Sequence, residues 1–199
     1  MRSAWGHNRT GRNIPSEFPL FATLIRRVDS LQLSFFFNPQ QVFFLRASKA
    51  TGQRPADALR MSEHDIIDGC LIVTQAKTKR PLRISIAGKL AELMARIRAR
   101  KATHKIVTAG LLTNTNSKRL TPAVLRNHFD EARKKAAAAH PEMADAIVAF
   151  HFYDLRAKAA ADTGEQRGDQ AASDLLGHGN VKTTQRHYLR RGKIVDSTK

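Results

Sequence analysis

Residues 175–190 read Leu-Leu-Gly-His-Gly-Asn-Val-Lys-Thr-Thr-Gln-Arg-His-Tyr-Leu-Arg, and the rest of the chain is interpreted around them. The two leucines are typical of the end of a buried helix, and Gly177 suits the left-handed cap that closes such a helix. Asn180 can cap a second short helix that carries Tyr188. The stretch therefore predicts that the imidazole of His178 lies in a turn and that a phenol follows ten residues later.

A phenol has an ordinary pKa of about 10, so it needs nearby positive charge or a proton acceptor to act as a nucleophile. This segment supplies positive charge through Lys182, Arg186, Arg190 and Arg191. The alternative is that Tyr188 is a half-buried anchor and His178 an ordinary turn histidine. The segment alone leaves both interpretations open.

Composition sets the outer limits. The 199 residues suit one domain, and 34 Lys+Arg against 17 Asp+Glu give a net charge of +17, which favours a polyanionic partner such as nucleic acid over a membrane surface. No apolar run approaches the roughly 20 residues of a membrane span, and no secretory signal is recognisable, so we expect a cytoplasmic protein. Cys70 is the only cysteine and the eight histidines lack ligand spacing, so no metal site is predicted.

The period of the apolar residues predicts a mainly helical α+β fold with a small antiparallel sheet. Helices are predicted near 20–32, over 40–51, after Pro55, over 89–100, from Thr121 to 139, and from Asp154 as the N-cap. The period changes at 70–74 and 82–86, which read as the two strands of a hairpin. The tip of that hairpin is basic and holds Lys77, Lys79 and Arg80.

Two arginines occupy positions that favour an anion. Arg54 precedes Pro55 at a helix start, where backbone N–H groups and a guanidinium act together, although a surface arginine in a turn is the commoner case. Asp57 could orient Arg54 or extend the helix cap. Arg156 opens an alanine-rich helix and is costly to bury without an anionic partner. Its alternative is an internal salt bridge, for example with Asp57 or Glu63.

These blocks resemble, in order, the catalytic domain of tyrosine recombinases, the phage-integrase family. The resemblance rests on Thr-Gly-Gln-Arg ending at Arg54, the Lys77 hairpin, Asp-Leu-Arg ending at Arg156, and the segment from Leu175 to Tyr188. It covers residues 40–191.

The resemblance implies a chemistry for each block. Tyr188 would attack a DNA phosphate, form a 3′-phosphotyrosyl link and release a 5′-hydroxyl. Arg54 and Arg156 would bind the non-bridging oxygens, a task suited to bidentate donors. Lys77 would protonate the leaving oxygen and His178 would hydrogen-bond the phosphate. Such a reaction needs neither a metal nor another cofactor.

The chain departs from the family pattern at two positions. The family usually has histidine where Tyr153 stands, and His151 lies two residues earlier, so both are weaker candidates for the site. A neutral phenol is a poorer base than imidazole, and proton transfer from Tyr188 could be slower or use water. Many relatives also place the nucleophile where His187 stands, so we expect the turn at 179–180 to absorb the difference.

The resemblance also implies a domain organisation. Residues 1–39 are expected to be partly disordered and too short for the family's additional DNA-clamping domain, 40–191 to be the catalytic domain, and 192–199 a tail. The expected partner is duplex DNA, bound as a tetramer only on DNA, in a bacterial cytoplasm near the nucleoid. The basic residues predicted to contact DNA are Lys79, Arg80, Lys182, Arg186, Arg190 and Arg191. The alternatives are a catalytically silent DNA-binding remnant and, less favoured, a basic RNA-binding protein.

Overall fold

The computed structural model describes residues 39–189 except 107 and 115. The helices are α1 Pro39–Thr51, α2 Pro55–Ala58, α3 Gly88–Lys101, α4 Pro122–Ala139, α5 Ala144–Ala149, α6 Phe152–Arg167, α7 Asp169–Leu176 and α8 Val181–His187. The strands are β1 Ile66–Ile67, β2 Cys70–Thr74 and β3 Pro81–Ser85. The predictions for 1–38, including the helix at 20–32, and those for Arg190, Arg191 and the tail lie outside the described residues.

The main core is aromatic and lies where α1, α4 and α6 meet. Helix α1 packs against α3 and α6, and α4 packs against α5. The rings of Phe44 and Phe152 meet edge to face with centroids 5.2 Å apart, and Phe129 lies 4.1 Å from Phe152. Because Phe152 is in the first turn of α6, this core fixes the start of the helix that carries Arg156.

The sheet is antiparallel, in the order β1-β2-β3. Leu71 and Val73 of β2 are buried, and Leu71 pairs with Ile84 in β3. The last pair, Thr74 with Pro81, leads directly into the basic turn. The sheet therefore positions the hairpin tip against the helical body.

A second, smaller apolar cluster connects the last three helices. It consists of Ala160, Ala172, Leu176, Tyr188 and Leu189. The two alanines let α6 and α7 approach each other closely, and the segment after α8 covers them. Tyr188 is thus held at the end of α6 that also carries Arg156.

The predicted fold class, mainly α with a small antiparallel sheet, is confirmed. The predicted N-cap of α6 is wrong: the helix begins at Phe152, and Asp154 instead accepts a hydrogen bond from the backbone N–H of His151 at 2.7 Å. Helix α8 ends before Tyr188, which leaves helical geometry at φ −126°. No helix in the described part is both long enough and apolar enough to cross a membrane.

Candidate active site

Arg156 is a buried cation without an anionic partner in the described part of the chain. Its side chain is 1% exposed, and its guanidinium donates to the backbone carbonyls of Gly52 and, at 2.8 Å, Leu176. Its Nε–H has no acceptor. Burial lowers the pKa of this guanidinium, and the neighbouring Tyr188 and Tyr153 oppose that effect, whereas the charge of Arg54 adds to it. Two of its five N–H donors are thus held by backbone carbonyls, and the Nε–H is among those left for an incoming anion.

The alternative, an internal salt bridge of Arg156, is not found among the described residues. Glu63 binds the ammonium of Lys101 at 2.5 Å. Asp57 pairs with Arg60 at 2.9 Å and lies 4.0 Å from Arg54. Both carboxylates proposed as partners are therefore engaged elsewhere, and a buried charge without compensation favours a ligand that supplies the negative charge.

His178 lies beside Arg156, and these two residues form a cluster with Tyr188 and Arg54. Its Nε2 lies 3.3 Å from Nη2 of Arg156, and its Nδ1 lies 2.8 Å from Oγ1 of the buried Thr184. Because a guanidinium can only donate, Nε2 must accept, which assigns the proton to Nδ1 and makes the imidazole donate to Thr184. Burial, followed by the charges of Arg156, Arg54 and His187, lowers the pKa of His178 to about 4. The imidazole is neutral at pH 7.

This lowered pKa predicts an acid-sensitive fold. An unfolded histidine has a pKa of about 6.5, so as the pH falls from there toward 4 the unfolded chain binds a proton that the folded chain excludes. We expect the protonation of His178 to leave the free energy of unfolding unchanged above pH 6.5. At pH 5 it should lower that free energy by about 1 kcal/mol, a value reduced for the partial exposure of the imidazole. Between pH 7 and pH 5, the free energy of unfolding measured in urea should fall less for His178→Gln than for the wild type. His64→Gln, changed at an exposed histidine, should keep the wild-type loss; an unchanged loss in His178→Gln would contradict the assignment.

Tyr188 adjoins both of these groups. Its ring lies 5.3 Å from His178 and 5.5 Å from Tyr153, and the guanidinium carbon of Arg156 is 5.8 Å from the ring centroid. Tyr188 is 8% exposed and Tyr153 is 51% exposed. Burial, a hydrogen bond to Tyr188 and the charge of an ionised Tyr188 raise the pKa of Tyr153 above its ordinary value, so Tyr153 stays neutral. Tyr188 packs as a buried anchor, and its ring also adjoins the positive charge that a nucleophilic phenol needs; its role as a nucleophile stays a prediction.

Arg54 approaches from the loop before α2. Its charge lowers the pKa of His178, which places it within electrostatic reach of the cluster. One of its terminal nitrogens, Nη1, is buried without a hydrogen-bond partner and lies 4.0 Å from Oδ2 of Asp57. Asp57 also accepts the backbone N–H of Ala76 at 2.9 Å. The carboxylate thus adjoins Arg54 and holds the base of the hairpin, and it does not cap the helix.

The basic turn of the hairpin is exposed. None of the contacts found among the described residues joins Lys77 to Arg156, His178 or Tyr188. Lys79 has a left-handed φ of 56°. The guanidinium of Arg80 lies against the turn that follows His178, since a Cβ built on Gly179 would be 2.8 Å from Nη1 of Arg80. The hairpin therefore borders the cluster, and Lys77 is exposed at its tip.

The remaining predicted residues are peripheral. Lys182 and Arg186 are exposed on α8, where they could meet a polyanion. His151 is exposed at the start of α6, and its Nδ1 contacts the carbonyl of Ala149, so the structure does not bring it into the cluster. Within 39–189, no group of three or more His, Cys, Asp or Glu side chains could hold a metal ion.

The sequence analysis assigned no role to three buried polar residues that contact the site or its supporting segments: Thr184, Gln53 and Gln75. Gln75 gave a signal, because it continues the inward-facing alternation of Leu71 and Val73 beyond the end of β2. A polar side chain at an inward position calls for a specific hydrogen-bond partner. Thr184 and Gln53 gave no comparable signal.

The sequence profile of the phage integrase family matches residues 40–193. The chain belongs to the phage integrase family. It is 28% identical to the integrase of Escherichia phage lambda over 148 residues, which cover 73% of this chain and 40% of the lambda protein. That the turn at 179–180 absorbs the later position of the tyrosine stays a prediction; Tyr188 itself departs from helical geometry at φ −126°.

Solved structures share the fold. The lambda integrase catalytic core aligns with a TM-score of 0.59 at 22% identity, over 74% of this chain and 84% of that one. A lambda integrase tetramer bound to a Holliday junction aligns with a TM-score of 0.65 at 21% identity, over 100% of this chain and 54% of that one. At these identities the likeness shows the tyrosine-recombinase catalytic fold. The chain spans less than half the length of the lambda protein it matches.

Proposed function

We propose that this chain cleaves and rejoins DNA strands in site-specific recombination, with Tyr188 as the nucleophile. The observation that carries the proposal is the buried Arg156 guanidinium, which has no anionic partner among the described residues and lies beside the ring of Tyr188. A buried cation next to a phenol suits an anionic electrophile, and the phosphodiester is the electrophile that the family uses. The net charge of +17 favours the same polyanion.

In the proposed reaction the hydroxyl oxygen of Tyr188 attacks phosphorus, and the bond from phosphorus to the 5′-oxygen breaks. Arg156 and Arg54 donate to the non-bridging oxygens, which gain charge in the transition state. Lys77 moves with the hairpin and protonates the departing 5′-oxygen. The products are a 3′-phosphotyrosyl link and a free 5′-hydroxyl, and attack by that hydroxyl reverses the step.

The proton of Tyr188 needs an acceptor, and Nε2 of His178 is the unprotonated nitrogen in the cluster. Without a proton this nitrogen cannot donate a hydrogen bond to a phosphate. Once it has gained the tyrosine proton it becomes a donor, so the same step would create the hydrogen bond to phosphate that the family resemblance assigns to His178. Tyr153 supports Tyr188 as a neutral neighbour.

The proposed partner is duplex DNA, and the proposed assembly is a tetramer formed on it. A relative, the lambda integrase, has been seen as a tetramer on a Holliday junction. With a net charge of +17, binding by this chain is expected to depend mostly on phosphate contacts and to weaken steeply with salt. A catalytically silent DNA-binding protein is the alternative.

Covalent capture tests the proposal directly. The probe is a pool of duplexes with randomised sequence around a nick, so that cleavage near the nick releases a short 5′-hydroxyl fragment and traps the protein. The wild-type chain should form an adduct that survives denaturing electrophoresis, and peptide mass spectrometry should place the nucleotide on residue 188. DNA retention without any such adduct would identify the chain as the silent DNA-binding alternative.

A further inference from the structure

Two glutamines that take no part in the proposed reaction form a buried pair beneath the site. Gln53 is 1% exposed and Gln75 is 0% exposed. Burying a primary amide is unfavourable unless its donors and acceptor are satisfied. In this pair they are satisfied, and the partners come from three separate segments of the chain.

Gln53 joins the Arg54 loop to the end of α7. Its Nε2 donates to the carbonyl of Thr51 at 2.9 Å and to that of Leu175 at 3.0 Å. Its Oε1 accepts from Nε2 of Gln75 at 2.8 Å. Because Gln53 directly precedes Arg54, these bonds fix the backbone from which that arginine projects.

Gln75 joins the hairpin to the same place. Its Nε2 also donates to the carbonyl of Leu176 at 2.9 Å, and its Oε1 accepts from the hydroxyl of Thr78 at 2.8 Å. The backbone carbonyl of Gln75 accepts from the N–H of Lys79 at 2.8 Å. Both the side chain and the backbone carbonyl of Gln75 therefore accept hydrogen bonds from the turn that contains Lys77.

The carbonyl of Leu176 is where these bonds meet Arg156, which donates to it from Nη2 at 2.8 Å. The next residue, Gly177, has a left-handed φ of 67°, and a Cβ there would lie 2.8 Å from Nε2 of Gln75. Glycine is thus required both by backbone conformation and by the close approach of the Gln75 amide. His178 follows immediately.

We propose that Gln53 and Gln75 are positioning residues that hold the Arg54 loop, the Lys77 hairpin and the His178 turn in one fixed arrangement. The proposal rests on the function proposed above for those three segments. It assigns to the pair the task of transmitting a displacement of any one segment to the other two. An isosteric glutamate cannot replace either glutamine, because a carboxylate offers acceptors where two carbonyl-type oxygens already face it.

Hydrogen–deuterium exchange of the DNA-free protein tests the coupling without requiring activity. In Gln75→Glu, peptides covering 76–80 and 176–179 should exchange about ten-fold faster, since one or two buried hydrogen bonds are lost, while α3 stays unchanged. Gln166→Glu, the same change at an exposed position of α6, should exchange as the wild type. Normal exchange at 176–179 in a variant whose 76–80 segment is loosened would overturn the proposal.

A milder variant guards against a general loss of folding. Thr78→Val removes only the donor to Oε1 of Gln75 from an exposed turn residue. It should raise exchange in the same two peptides, to a smaller extent and with unchanged thermal stability. Loosening confined to the hairpin would count against transmission through Gln75.

Cleavage of a substrate with sulfur in place of the bridging 5′-oxygen separates positioning from general damage. A thiolate leaves without a proton, so it bypasses Lys77. Gln75→Glu should cleave the oxygen substrate at least about ten-fold more slowly than the wild type, and the sulfur substrate should recover only the part of that loss that comes from Lys77. An equal loss on both would overturn the role assigned to the hairpin. If the wild type forms no adduct at all, the proposed function fails, and the exchange result still decides the coupling.

Discussion

Replacing Tyr188 by phenylalanine should abolish the covalent protein–DNA adduct, with a fall in cleavage rate of at least about 10⁴-fold, because the attacking oxygen is removed. The ring that packs on Ala160, Ala172 and Leu176 is retained, so the fold should persist. DNA affinity should stay within about two-fold, since binding depends on the basic residues. The measurements are single-turnover cleavage on the nicked pool, salt-dependent DNA retention and thermal unfolding.

The chain offers a matched control, because Tyr153 is its one other tyrosine. Tyr153→Phe makes the same chemical change 5.5 Å from Tyr188, at a half-exposed ring. We expect cleavage to fall by less than about ten-fold, since this hydroxyl is a neutral neighbour and not the attacking group. An adduct that survives in Tyr188→Phe and disappears in Tyr153→Phe would transfer the nucleophile to Tyr153 and refute the assignment.

The second large effect is expected for Arg156→Lys. Lysine keeps the positive charge but loses the planar fork, so it cannot hold the carbonyls of Gly52 and Leu176 and still offer paired donors to a phosphate. We expect cleavage to fall by about 10²–10³-fold, the cost of removing preorganised donors from the transition state. Buried carbonyls left without donors should also lower the free energy of unfolding by about 1–3 kcal/mol.

Single-turnover cleavage and urea unfolding measure these two effects separately. Arg96→Lys, the same replacement at an exposed position of α3, is the control and should leave both values close to the wild type. Cleavage by Arg156→Lys within about ten-fold of the wild type would show that charge alone suffices, and would remove bidentate phosphate contact from the proposal. A loss of stability without a loss of cleavage would leave Arg156 with a purely structural role.

The errors of the sequence interpretation have local causes. Strand β1 was not predicted, because two residues are too short for an alternating pattern to be recognised. The sequence pattern predicts Asp154 as the N-cap of α6, whereas Asp154 lies at the third helical position and accepts a hydrogen bond from the N–H of His151. Both cap positions suit aspartate, and the aromatic core around Phe152 decides between them by fixing where the helix begins.

Many of the helices and strands, and the side chains they present, could be predicted from the amino-acid sequence. Glycine after two leucines specified the cap at Gly177, alternation specified the hairpin, and the excess of Lys and Arg favours a polyanionic partner. These features depend on residues close together in the chain or on composition, so they can be recognised without coordinates.

The contacts between these groups required the three-dimensional structure. Arg156 binds a carbonyl of Gly52, 104 positions away, and Gln75 binds one of Leu176, 101 positions away. Every residue has a backbone carbonyl, so a pattern of side chains does not predict which carbonyl will accept a hydrogen bond from an arginine or an amide. The tautomer of His178, the free donors of Arg156 and the closeness of the two tyrosines follow from those contacts, because each depends on distances set by packing between segments far apart in sequence.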